Sequence, residues 1–172
     1  MSKYYAGIGA RKTPPEMMSL MTDLAARLEE QGWILRSGGA IGADGAFQLG
    51  VKDPDNQRIY TTNSMYEEGN VSDAWASVDR YHPNPRAING YVRELMARNY
   101  FQVMGKSSGI PSKFVICWTD SYETDEQGLI KNASGGTGQA VRIAYDNDIL
   151  VYNLKHKEHL GRVLKFVDKV NS

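Results

Sequence analysis

Apolar positions along the chain alternate between two spacings. Tyr4, Tyr5 and Ala6 lead a strand expected over Lys3 to Ala10, which runs into Gly7-Ile8-Gly9. Thr13-Pro14-Pro15-Glu16 then reads as a helix start, with Thr13 as cap, Pro14 at the first helical position and Glu16 completing a capping box. Met17, Met21, Leu24 and Leu28 follow at helical spacing as one buried stripe, and Gly32 ends the helix. Trp33 to Arg36 is a second strand, feeding Ser37-Gly38-Gly39-Ala40-Ile41-Gly42-Ala43-Asp44-Gly45. Small residues continue to Gly50, with Phe47 and Leu49 as packing contacts, and Arg58 to Thr62 is a third strand. Strand, helix, strand, helix, strand is the mark of a parallel sheet with helices on its faces.

Asn63 to Pro85 lacks periodicity and reads as a long loop. Its Trp75, Tyr81 and His82 would either stack on a base or cover a sheet edge. Arg86 to Met104 reads as helical, divisible into two pieces near Arg98, and Lys113 to Thr119 is the clearest buried strand. Asp120 to Lys131 looks like a hairpin excursion. Ser134-Gly135-Gly136-Thr137-Gly138 opens a helix carrying Ala140, Val141, Ile143 and Ala144. Ile149 to Leu154 is a final strand, and His159 to Val170 a closing amphipathic helix. With no repeat, linker or low-complexity segment, residues 1–172 read as one domain.

Composition narrows the function classes. The 172 residues are enough to bury a core, and 20 Lys+Arg against 20 Asp+Glu give zero formal charge. That balance argues against a strongly electrostatic nucleic-acid binder but leaves room for a local basic groove near Arg11, Arg36 and Arg98. The single Cys117 excludes an internal disulfide and a cysteine-based zinc site, and it reads as an inert core thiol. His82, His156 and His159 show no metal-ligand spacing, and the last two, among lysines near the chain end, read as solvated. No metal and no defined cofactor are expected. No apolar run approaches the ~18 residues of a membrane span. The lack of an export signal points to a cytoplasmic protein.

Glycine is the informative residue: Gly7 and Gly9, Gly38, Gly39, Gly42 and Gly45, and Gly135, Gly136 and Gly138 account for nine of the 17. They form three turns that each follow a strand or precede a helix. In an open parallel sheet those turns share one edge, where backbone N–H groups and helix N-termini can meet a phosphate unobstructed. The first turn is not a full dinucleotide fingerprint, because Lys12 stands at the third glycine's place, and no Walker lysine pattern occurs.

Gly7-Ile8-Gly9-Ala10-Arg11 and Arg36-Ser37-Gly38-Gly39-Ala40-Ile41-Gly42-Ala43-Asp44 resemble the Rossmann-type domain of the DprA-like (DNA-processing protein A) family, within the SLOG superfamily. Arg98-Asn99 is similar to the family's Arg-Asn element, and Ser134 to Gly138 to its second glycine loop. The resemblance implies an α/β fold: a single Rossmann-like open parallel sheet flanked by helices on both faces. It implies a nucleotide-like ligand, or the phosphate backbone of single-stranded DNA, over the glycine loops.

The ligand-binding residues expected on this basis are Gly7, Gly9, Arg11, Ser37, Gly38, Gly39, Gly42, Asp44, Arg98, Asn99, Thr119, Ser134, Gly135, Gly136, Thr137 and Gly138. Arg11 and Arg98 would pair with phosphate or else be ordinary surface arginines. Asp44 would accept from a ribose or nucleobase, act as a general base, or cap its own helix, and Asp120 would be a general base or a turn former. The more distant LOG phosphoribohydrolases carry a proline, a threonine and a catalytic glutamate where this chain has Ser134, Gln139 and Arg142. The leading reading is a sensor or sequestering protein for a nucleotide or nucleotide-derived small molecule. The alternatives are a nucleotide N-glycosidase using Asp44 or Asp120, and single-stranded DNA binding in recombination. SLOG proteins often dimerise through sheet-flanking helices, which extends an expectation of homo-oligomers to this chain.

Overall fold

The apolar runs that the sequence marks as strands pair side by side in a computed structural model, which describes residues 3–106 and 109–169. In chain order the elements are β1 (Lys3–Gly7), α1 (Pro15–Glu30), β2 (Trp33–Ser37), α2 (Ala43–Gly50), β3 (Gln57–Ile59), α3 (Val71–Tyr81), α4 (Gly90–Met104), β4 (Phe114–Cys117), β5 (Tyr122–Thr124), β6 (Ile130–Ala133), α5 (Gly135–Asp146), β7 (Leu150–Asn153) and α6 (Lys157–Lys169). Five strands form one parallel sheet in the order β3-β2-β1-β4-β7, and β5 and β6 form a separate antiparallel hairpin. The expected α/β architecture is therefore present, with helices on both faces. Because β1 is central, the chain builds outward through β2 and β3, then crosses back to add β4 and β7. The order reverses between β1 and β4, where such sheets open a crevice at their strand C-termini.

Strand geometry divides the core. Tyr5, Leu35, Phe114 and Ile116 point to the face covered by α1, α2 and α6, where they meet Met21, Leu24, Leu28 and Phe47. Ala6, Val115 and Cys117 point to the other face and meet Val103, Val141, Ile143 and Ala144. All four residues of β4 are buried, as expected of a strand covered on both sides. A third cluster, built on Tyr60, Met65, Ala74, Val78 and Phe101, joins α3 to α4.

Several local expectations are corrected. The stretch read as a loop from Asn63 to Pro85 contains α3, whose buried stripe is only Ala74, Ser77 and Val78, too small to register as a hydrophobic period. Thr13 does not cap α1. Pro15 holds the residue before it extended, with Pro14 at φ −59° and ψ 147°, so the helix starts at Pro15 and the Thr13 hydroxyl donates to Ala10 O at 2.5 Å. α4 runs unbroken through Arg98. His159 is 3% exposed rather than solvated. Cys117 is fully buried, and burial pushes its thiol up to about 12. Val170, the expected end of the last helix, lies outside the described residues, as do the two ends of the 1–172 span read as one domain.

α1 and α2 meet at a crossing of small residues. The Thr22 hydroxyl donates across it to Ala46 O at 2.8 Å. A Cβ on Gly50 would stand 2.1 Å from the Thr22 carbonyl oxygen and 2.9 Å from the Ala25 Cβ. Backbone cannot yield as a side-chain tip can, so Gly50→Ala is expected to destabilise the protein by about 1–3 kcal/mol. The midpoint and slope of urea unfolding measure it, and an unchanged midpoint contradicts this account of the crossing.

Candidate ligand-binding cleft

The strand ends at the order reversal enclose a cleft of about 920 Å³. Its walls are the turn after β1 (Gly9 to Lys12), the turn after β2 (Gly38 to Ala40), the end of β4 (Trp118 to Ser121), the start of α5 (Ser134 to Thr137) and the inward face of α4. The first two turns touch. A Cβ on Gly42, whose φ is +95°, would lie 2.8 Å from Ala10 O, and one on Gly9 would lie 2.7 Å from the Ala43 Cβ.

Asp44 fastens the second turn. Its carboxylate is 4% exposed and accepts from the Gly38 N–H at 3.2 Å and the Ala40 N–H at 3.4 Å. Burial pushes its pKa up to about 6, although Arg98 and the amides of Ala40, Gly38 and Gly9 pull it down. Arg98 is 8% exposed and donates through Nη1 to Gly38 O at 2.8 Å and Tyr60 O at 3.3 Å, while its Nε has no partner. A Cβ at position 38 would overlap that guanidinium at 2.1 Å, so the arginine occupies the space the glycine leaves. The amides of this turn thus point at an internal carboxylate.

The start of α5 is different. Ser134 makes no side-chain cap, and Ser134, Gly135 and Gly136 are exposed. The first-turn amides of a helix have no internal partner, so here they open on the cleft with the positive end of the helix dipole. Asn99 braces this turn by donating to Gly136 O at 2.9 Å. Arg11 and Lys12 stand exposed on the wall formed by the turn after β1. Asp120 is also on the rim, but its carboxylate is bonded to the Lys155 ammonium, which holds it below the usual range.

Of the residues singled out from the sequence, Gly9, Arg11, Gly38, Gly39, Asp44, Arg98, Asn99, Thr119, Asp120, Ser134, Gly135, Gly136 and Thr137 line the cleft. Gly7, Ser37, Gly42 and Gly138 lie behind it. Gly7 faces the Phe47 ring, the Ser37 hydroxyl donates to Gly7 O at 2.6 Å, and Gly138 packs on the Ala133 carbonyl. Arg36 is also structural: it is 2% exposed, 3.9 Å over the Tyr4 ring, and bonded to Ser112 Oγ at 3.2 Å. Arg142 clamps Tyr81 O at 2.6 Å and Asn132 Oδ1 at 2.8 Å, away from the cleft. Lining residues that the sequence did not single out include Lys12, Thr61, Thr62, Tyr91, Gln102 and Trp118. Tyr91, at the start of α4, is 62% exposed. An exposed aromatic there carries no periodic signal.

Among the described residues, no group of three or more His, Cys, Asp or Glu side chains is placed to hold a metal ion. No helix among them is long and apolar enough to cross a membrane.

No family model and no curated protein sequence matches the chain. A solved structure shares its fold: DNA processing protein A from Helicobacter pylori, described for its single-stranded DNA binding mode. The similarity has a TM-score of 0.60 at 14% sequence identity and covers 98% of this chain and 80% of that one. The chain therefore has a DprA-like fold.

Asp44 sets a pH signature. Its folded pKa lies above the unfolded one, so the unfolded chain releases this proton first, and stability falls as pH rises from 3.8 to about 6. Asp44→Asn removes that fall. Between about pH 4 and about pH 7 the stability of the variant relative to wild type should rise by on the order of 3 kcal/mol. Denaturant unfolding across that range measures it, and parallel pH profiles contradict the assignment.

Proposed function

We propose that the chain binds single-stranded DNA across this cleft. The observation that carries the reading is the presence, within one cleft, of exposed Arg11 and Lys12 together with the uncapped α5 turn at Gly135 and Gly136. Phosphates of a passing backbone meet the two cations and the free amides. Tyr91 offers a ring on which a base can stack, as in sequence-tolerant single-strand grooves. The DNA processing protein A that shares the fold binds single-stranded DNA, which agrees with this assignment.

The reading reverses the order preferred from sequence, and the reason is Asp44. The deep amides of Gly38 and Ala40, which would otherwise receive a compact phosphate, already serve its carboxylate. A free nucleotide's phosphate would be repelled there. The donors still open lie toward the rim, where a continuous strand can reach them. A mononucleotide is the second reading, favoured by the same residue in another role: a buried acceptor suits a sugar hydroxyl or a base N–H.

Fluorescence anisotropy with a labelled oligo-dT at several salt concentrations tests the proposal. Affinity should fall steeply with salt. Arg11→Gln/Lys12→Gln should flatten the log–log slope by about 1.4, the share of two phosphate contacts on single strands. Tyr91→Ala should cost about 1–3 kcal/mol of binding and leave the salt slope unchanged. Absence of oligonucleotide binding, with thermal stabilisation by mononucleotides, would replace this reading with the second.

A further inference from the structure

Behind the Thr119 wall of the cleft lies a hydrogen-bonded cluster that ligand binding does not use. Its hub is the fully buried Asn153, at the end of β7. The Asn153 side chain grips both backbone groups of Thr119: Oδ1 accepts from the Thr119 N–H at 3.1 Å, and Nδ2 donates to Thr119 O at 3.0 Å. A strand pairing is thus continued, by one side chain, past the end of β4. The Asn153 main chain is held in turn by the start of α6. Its N–H donates to His159 Nδ1 at 3.4 Å, and its carbonyl accepts from the His156 N–H at 2.9 Å.

These contacts select one form of His159. Since Nδ1 accepts, Nε2 carries the proton and donates to Gly128 O, 3.1 Å away at the tip of the β5–β6 hairpin. A neutral imidazole therefore ties the hairpin to β7 with both nitrogens engaged. His156 lies against it, with ring centroids 4.2 Å apart and planes 30° from parallel, and its Nδ1 is buried without a partner. Tyr152 of β7 meets the His159 ring edge-on, and Tyr122 of the hairpin meets the His156 ring. The charged neighbours acting on His159 are Glu158, which favours a positive imidazole, and Arg162, which with His156 opposes one. Burial is the largest influence and holds the imidazole below its ordinary range.

We propose that His156 and His159 form a proton-operated latch on the cleft. A proton on His159 Nδ1 converts an acceptor into a donor that faces the Asn153 N–H, and Arg162 opposes the new charge. The ring must leave its seat, which loosens the Asn153 grip on Thr119 and frees the hairpin from β7. Strand β6 runs directly into Ser134 and the open turn of α5, so two walls of the cleft lose their anchor together. The sign follows from linkage. The unfolded chain takes up the His159 proton first, so stability drops as pH falls below the ordinary imidazole value near 6.5.

What the latch does to a ligand rests on the DNA-binding reading, but the latch itself is testable without one. That separation matters, because protonating Asp44 in the same range would favour an anion and mask the effect in a binding assay. Backbone-amide hydrogen exchange of the ligand-free protein, expressed as protection factors so that intrinsic pH effects cancel, reads it directly. From about pH 7.5 to about pH 5.5, protection at Thr119 and Asn153, whose N–H groups the cluster holds, should fall by up to about tenfold, while amides of β1 and β2 keep theirs. His159→Gln keeps a donor for Gly128 but cannot titrate, so its protection should stay level. If that variant does not fold, the wild-type protein supplies the second measurement: the imidazole resonances of His159 should titrate in step with the loss of protection at Thr119. Unchanged wild-type protection at Thr119 and Asn153 overturns the latch. So does a His159→Gln profile that follows wild type, or a His159 titration out of step with protection at Thr119. None of these results bears on DNA binding.

Discussion

One carboxylate organises the crevice. Asp44 draws in the amides of the turn after β2, and Arg98, reaching from a helix 60 residues away in sequence, anchors the carbonyl of that same turn. Without the carboxylate, the buried Gly38 N–H and the half-buried Ala40 N–H would be unpaired and a buried guanidinium would lose its nearest counter-charge. Either defect is costly in a low-dielectric site. Gly38 and Gly42 follow as necessities, because the guanidinium fills the space beside the first and the β1 turn fills the space beside the second. The floor of the cleft is consequently a finished polar network, and the chemistry left for a partner is concentrated at the walls and rim.

This division explains how a chain of zero formal charge can still gather exposed cations along one crevice. Net charge averages over the whole molecule, whereas a crevice responds to the groups within a Debye length of it. On one side stand Arg11, Lys12 and the N-terminal turn of α5. Against them, Asp44 is matched by Arg98 and Asp120 by Lys155. Arg36 adds little to this field. It lies beneath the C-terminal end of α4 at Gly105, whose dipole suits a cation, and is enclosed by Tyr4 and Ser112.

The alternation of strands and helices was legible because Phe114 to Cys117 and the β1 run are apolar enough to need cover on both faces. The glycine turns were legible because few other residues permit such close approach. α3 was hidden by the smallness of Ala74 and Ser77. The direction of the Asp44 carboxylate was hidden for a different reason: a local sequence cannot say whether a turn's amides face its own acid or a ligand, since the answer depends on Arg98 and the β1 turn arriving beside it. His159 reads as solvated among its lysines because nothing nearby in sequence announces that Gly128 will close over it. In each case the missing information is a contact between segments far apart in the chain.

The central place of β1 has a kinetic side. One edge of β1 finds β2 after a single helix, with Ala6 opposite Arg36. The other edge pairs Ala6 with Val115, most of a chain length later. A half-sheet of β1, β2 and β3 can form early, but the inner edge of β1 then stays unpaired until β4 arrives. Closing so long a loop is slow, and an open apolar edge is the kind of surface that pairs with the wrong chain. The order in which the polypeptide emerges thus makes the joining of β4 to β1, the seam on which the crevice opens, the step of folding most exposed to misassembly.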